Sequence, residues 1–99
     1  MTEIIKKSYQ ELKQECAPIY YQEIERFFAK GMLVLVEVDL DIIDVGLLIQ
    51  ADDTQQLNQL IKQEKVIRVN DKHAIKWHKQ EAQLLVLTAV PWLLVQELR

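Results

Sequence analysis

Apolar residues at Ile5, Tyr9, Leu12, Cys16, Ile19, Tyr20, Ile24, Phe27 and Phe28 recur in steps of three and four, which predicts one helical stripe running to Gly31. Pro18 interrupts it by removing a backbone donor and crowding the carbonyl of Gln14, so the stripe reads as a kinked helix or two short ones. A basic residue and a glycine, Lys30-Gly31, stop it. The period then changes. Met32-Leu33-Val34-Leu35-Val36-Glu37-Val38 is rich in β-branched residues and turns acidic only at Glu37, the pattern of a largely buried strand.

Three later helices carry their own start signals. Asp41, with Asp44 three residues on and Leu40 placed to staple against Val45, opens a helix that is apolar on most sides through Ile42, Ile43, Leu47, Leu48 and Ile49. Gly46 fits within it where another backbone approaches closely. Asp53 and Gln56 form the next capping box, ahead of a helix with a narrow buried stripe at Leu57, Leu60 and Ile61 and a glutamine-rich outer face. Val66 to Val69 is a short strand, after which Asn70 caps a helix through Lys79. Leu84 to Leu87 is a strand, and Pro91 to Leu98 continues as strand in preference to a last helical turn.

This order of elements predicts an α+β fold with N-terminal helices and a three-stranded antiparallel sheet with helices packed on it, on one face, in a winged-helix-like sequence of elements. No repeat, low-complexity tract or Gly/Ser/Pro linker divides the chain, so residues 1–99 read as one domain. Ninety-nine residues of ordinary globular composition fold around one core with a shallow groove, not a deep catalytic cavity. The net charge of -3 argues against bulk electrostatic binding of nucleic acid. One cysteine allows neither an internal disulfide nor a cysteine-based zinc site. The N-terminus lacks an apolar signal core, and the longest apolar run, Leu84 to Val95, is too short to cross a bilayer, so the expected location is the cytoplasm and no membrane is expected as a partner.

Several short motifs resemble a family. Lys30-Gly31-Met32-Leu33-Val34, Leu40-Asp41-Ile42-Ile43-Asp44-Val45-Gly46, Asp52-Asp53, Trp77 and Pro91-Trp92-Leu93-Leu94-Val95-Gln96 are similar to the bacterial domain of unknown function 2288, over about residues 21–96. The chain departs from that pattern at Ile61, where the family usually has tryptophan, at Arg68-Val69, where it has Lys-Pro, and at Val90, where it has glutamine. The resemblance implies a small cytoplasmic bacterial domain and transfers no catalytic residue.

Charge is segregated along the chain. Glu37, Asp39, Asp41, Asp44, Asp52 and Asp53 place six acids and no base between positions 37 and 53, while positions 62 to 79 carry a surplus of four positive charges. Lys72, Lys76 and Lys79 fall on one helical stripe with Trp77 beside it, and with Lys65 and Arg68 they form the candidate interaction surface. The leading expectation is a non-catalytic protein-interaction module whose basic helix engages an acidic partner or a second copy of the chain. The plainer alternative is a solvated face that serves solubility.

Other constellations are weaker. The acids around Asp41 lack the alternate spacing and the glycine of a calcium loop, and helix capping accounts for them. His73 and His78 lie about 140° apart on a helix and cannot share a metal ion. Cys16 sits on an apolar stripe, which raises a thiol pKa and blunts its reactivity. Two glycines fifteen residues apart cannot build a phosphate loop, so no cofactor site is expected. Asp41 to Lys62 could be a helix-turn-helix reading bases through Gln55, Gln56, Asn58 and Gln59, the basis of a winged-helix-like nucleic-acid-binding alternative, but Asp52 and Asp53 would oppose DNA phosphates. A small enzyme without a recognisable motif is the remaining alternative. The strand around Trp92 reads as core, with an edge able to pair with a second copy.

Overall fold

Turn chemistry sets most of the boundaries. In the computed structural model, which describes residues 6–98, the chain runs α1 (Tyr9–Glu15), β1 (Ala17–Tyr20), α2 (Tyr21–Ala29), β2 (Leu33–Val36), α3 (Ile42–Gln50), α4 (Thr54–Lys62), β3 (Val66–Arg68), α5 (Asp71–Gln80), β4 (Gln83–Ala89) and β5 (Trp92–Glu97). Asp41 accepts from the Ile43 N–H at 2.9 Å, Asp53 from Gln56 at 3.2 Å and Asn70 from His73 at 3.0 Å, so the three caps expected from the sequence start α3, α4 and α5. Gly31, at φ +69°, supplies the left-handed turn that ends α2.

The first stripe is not one helix. Ala17 to Tyr20 form an edge strand paired antiparallel with β4, and Pro18 sits in it. An edge strand tolerates a residue that cannot donate, and the extended backbone there reverses which side of the sheet the next helix covers. Leu12 of α1 therefore packs in one core and Tyr21 and Ile24 of α2 in the other. Ile5, the first position of the expected stripe, lies outside the described residues.

The sheet also differs from the expectation of three antiparallel strands in a winged-helix order. It has five strands in the order β1-β4-β5-β2-β3, and β2 runs parallel to β5 with Leu33 opposite Leu93 and Leu35 opposite Val95. The other pairings are antiparallel, and β4 and β5 form a hairpin. Helices cover both faces: α1, α3 and α4 lie on one side, α2 and α5 on the other. That layering explains the unbroken apolar runs, because a strand covered on both faces has no solvent side to make polar. Along β4, Leu84 and Val86 enter the α2/α5 core while Leu85 and Leu87 enter the α1/α3 core.

Close packing positions the loops as well. A Cβ on Gly46 would stand 2.8 Å from Leu87 Cδ2, so α3 packs closely on β4 and any larger residue there would have to displace the Leu87 side chain. Gln96 is the buried polar side chain of β5, and its amide donates to the carbonyls of Glu37 at 2.8 Å and Leu40 at 2.7 Å. Those bonds satisfy the turn that leads into α3.

Candidate functional site

The lysine helix is anchored through its tryptophan. Trp77, placed by sequence on the candidate surface, is 1% exposed and packs at 5.6 Å against Tyr21 across the α2/α5 core. Its indole N–H donates to Glu97 at 3.3 Å, and the Lys76 ammonium reaches the same carboxylate oxygen at 3.0 Å. Lys76, then burial acting in the opposite sense, then the Trp77 N–H set the Glu97 carboxyl, with a net shift below the ordinary carboxylate range. His73 stacks on Trp77 at 5.5 Å and accepts the Asn70 N–H through Nδ1 at 3.2 Å. His78 Nδ1 lies 3.6 Å from Glu25. Helix α5 thus carries one engaged lysine, Lys76, and two exposed ones, Lys72 and Lys79.

The six candidate residues do not share a surface. Lys65 pairs with Asp39 at 2.7 Å, a hydrogen-bonded contact that raises the lysine pKa and ties the basic segment to the acidic one within the chain. Arg68 lies on the opposite side of the sheet from α5, its β3 position paired with Val34 of the α1/α3 core. Only Lys72, Lys76 and Lys79 remain on one element, with Trp77 beneath them.

The acids ahead of α3 are also occupied. Asp41 caps α3 through one oxygen and accepts the Tyr9 hydroxyl at 2.5 Å through the other, a bond that pushes the phenol pKa up. Asp53 holds both the Gln56 N–H and its side-chain amide, which takes Gln56 out of any base-reading face. Cys16 is half-buried against the α1/α3 core, and burial raises its thiol pKa. Among the described residues no three potential metal ligands converge, and no helix is long and apolar enough to cross a membrane. Each shifted group is accounted for by a hydrogen-bonding or charged partner or by burial.

A different concavity opens on the α3/α4 side. Helix α4 is amphipathic, yet none of its residues is fully buried, and Ile61 is 51% exposed. The gap beneath it is a groove of about 460 Å³. It is lined by Val34, Val66, Ile67, Arg68 and Trp92 from the sheet, by Ile49 of α3 and by Leu57 and Ile61 of α4. The Arg68 guanidinium stands 5.0 Å over the Trp92 ring, a cation–π contact that stiffens a side chain otherwise free to move. Of these residues the sequence nominated Arg68, but through its charge. Leu57 and Ile61 were expected in a buried stripe and Trp92 in core.

This α/β arrangement has a solved counterpart. The chain is similar to the NMR solution structure of PA1075 from Pseudomonas aeruginosa, with a TM-score of 0.82 and 24% sequence identity, over 100% of this chain and 94% of that one. At that identity the likeness shows the fold. None of the curated proteins matches the chain. The sequence pattern of a family described as a protein of unknown function, DUF2288, matches residues 7–97, nearly the whole chain and more than the span of the motifs. With that match and the motifs around Gly31, Asp41 and Pro91 in place, the chain belongs to the DUF2288 family.

Proposed function

We propose that the protein is a non-catalytic binding domain whose recognition element is the groove beneath α4, and that it takes a small, largely apolar ligand. The observation that supports this reading is an amphipathic helix held over a concave apolar surface without completely burying any of its own residues. A groove of about 460 Å³ has the size of sites that enclose small ligands, and a nearly all-apolar lining with one convergent cation is their usual chemistry. Shifted carboxyl, lysine and phenol groups elsewhere are engaged in capping and ion pairs, which favours binding over catalysis.

The test uses Nile red, a neutral apolar dye whose emission rises and shifts to the blue on leaving water. The unaltered protein is expected to take it up saturably, Ile61→Glu to abolish uptake, and reversal of Lys72, Lys76 and Lys79 to glutamate to leave it intact. Uptake that survives Ile61→Glu, or disappears on lysine reversal, overturns the assignment to the groove.

A second reading keeps the basic helix. Lys72 and Lys79 are exposed on α5 and make no ion pair among the described residues, which supports a role toward an acidic partner or a second copy. Lys76 contributes less to it, because Glu97 already holds its charge. If this reading is right, the same lysine reversal changes the protein's oligomeric state or its binding to a poly-glutamate peptide, while Ile61→Glu changes neither.

A further inference from the structure

We infer that the ligand of this groove is an amphiphilic carboxylate, an unbranched apolar chain lying between α4 and the sheet with its carboxylate held by Arg68. The inference rests on the groove being a binding site and adds the chemistry of its occupant.

The polar groups on the lining residues decide the head group. Among side chains lining the groove, only Arg68 and Trp92 carry hydrogen-bonding atoms. A guanidinium and an indole N–H are both donors without acceptor capacity, so the complementary head accepts and does not donate. The side chains of the lining thus disfavour an ammonium head, which can only donate, and favour an oxyanion over an alcohol. Charge count then separates the two common oxyanions. Arg68 is the one charged residue of the lining, and Lys65, the base just ahead of β3, is committed to Asp39 at 2.7 Å. One guanidinium balances one carboxylate, whereas a phosphate monoester near neutral pH would retain unpaired charge.

Arg68 is prepared for that role. It makes no ion pair among the described residues, and the Trp92 ring, 5.0 Å from its guanidinium carbon, supports the planar group through its face. Stacking of that kind leaves the in-plane N–H fork free for a bidentate acceptor. The apolar body fits the remainder. Val34, Ile49, Leu57 and Ile61 offer aliphatic contact and no polar competitor, and each methylene covered there leaves water.

The experiment is a titration of the ¹⁵N-labelled full chain with sodium decanoate, kept below its micelle concentration, beside 1-decanol, decylamine and decyl phosphate. Decanoate is expected to shift the Trp92 indole and the Leu57 and Ile61 amides saturably, leave the buried Trp77 indole in place, and bind more tightly than the other three. Arg68→Gln should weaken decanoate by roughly tenfold to a hundredfold, the range of a lost charge-assisted hydrogen-bond pair, and leave 1-decanol unchanged. Arg68→Lys, which keeps the charge and loses the fork, should fall between.

Equal binding of decanoate and 1-decanol with no effect of Arg68→Gln overturns the carboxylate and leaves the groove standing. Tighter binding of decyl phosphate also overturns the carboxylate. Failure of every probe to saturate the groove overturns both readings. Should Arg68→Gln not fold, the ratio of decanoate to 1-decanol affinity in the unaltered protein and the Arg68→Lys result decide the matter.

Discussion

Helices α4 and α5 are built from similar parts and end up in different states. Each begins on an Asx cap, spans about ten residues and carries a polar outer face. Helix α5 drives Trp77 into the sheet and buries Ala74 beside it, whereas α4 rests on Leu57, Leu60 and Ile61 and buries none of them completely. The difference is one of reach. An indole spans the gap between helix and sheet and finds Glu97 at its far edge, while leucine and isoleucine at the same spacing stop short and leave a hollow. Surface charge gives no indication of this, because the conspicuous lysines decorate the helix that is locked in place.

The contrast can be broken most forcefully at its anchor. Trp77→Ala removes the largest fully buried side chain and the Glu97 hydrogen bond together, and is expected to cost about 3–5 kcal/mol in denaturant unfolding. A loss as small as that of a surface substitution would mean that α5 is not the locked helix. Leu57→Ala on α4 should cost about 1 kcal/mol, because a half-buried site beside a groove loses little packing and leaves no sealed cavity. Native-state hydrogen exchange sharpens the same point: α4 amides should exchange through local opening at a lower free energy than those of α5. Equal protection of both helices would remove the distinction.

Two ion pairs provide the finer tests. Glu97 is held below the ordinary carboxylate range chiefly by Lys76, so its contribution is complete above that range and is lost as pH falls through the lowered value. The carboxylate is partly exposed and screened, which limits the effect to about 1 kcal/mol or less. In Glu97→Gln that portion of the acid-side loss should vanish from a series of unfolding curves. Lys65 is shifted the other way by Asp39: its contribution is complete below the ordinary lysine range and disappears as pH rises through the raised value. Lys65→Gln should flatten the alkaline limb of the stability profile, the smallest change of the set, and a limb that stays as steep as in the unaltered protein would show that the pair does not act.

What the residues disclosed in advance was local. The caps at Asp41, Asp53 and Asn70 and the stop at Gly31 each depend on a few neighbours and are legible in the chain, whereas Gly46 faces the side chain of Leu87 and not the backbone expected there. Strand β1 was hidden because Ile19 and Tyr20 continue the spacing of the helix before them, and only the pairing with Leu84 and Gln83 makes them a strand. The parallel pairing of β2 with β5 joins Leu33 to Leu93 and has no short-range signature. Solid apolar runs such as Leu84 to Leu87 did carry the information that both faces are covered, though a one-sided arrangement conceals it. At the surface, lysine spacing was visible while the Glu97 partner of Lys76 was not, and the groove brings Trp92 together with Leu57 and Ile61, residues far apart in the chain.

The hairpin of β4 and β5 occupies the middle of the sheet, and both cores are floored by its alternating side chains. Synthesis delivers those residues after every strand they join. A nascent chain emerging from the ribosome can form its capped helices and the β2–β3 pair early, but β1 has no neighbour until β4 appears, and β2 meets its parallel partner only with β5. The apolar undersides of these helices therefore wait for the β4–β5 hairpin, and assembly is compressed into the moments after that hairpin clears the exit tunnel.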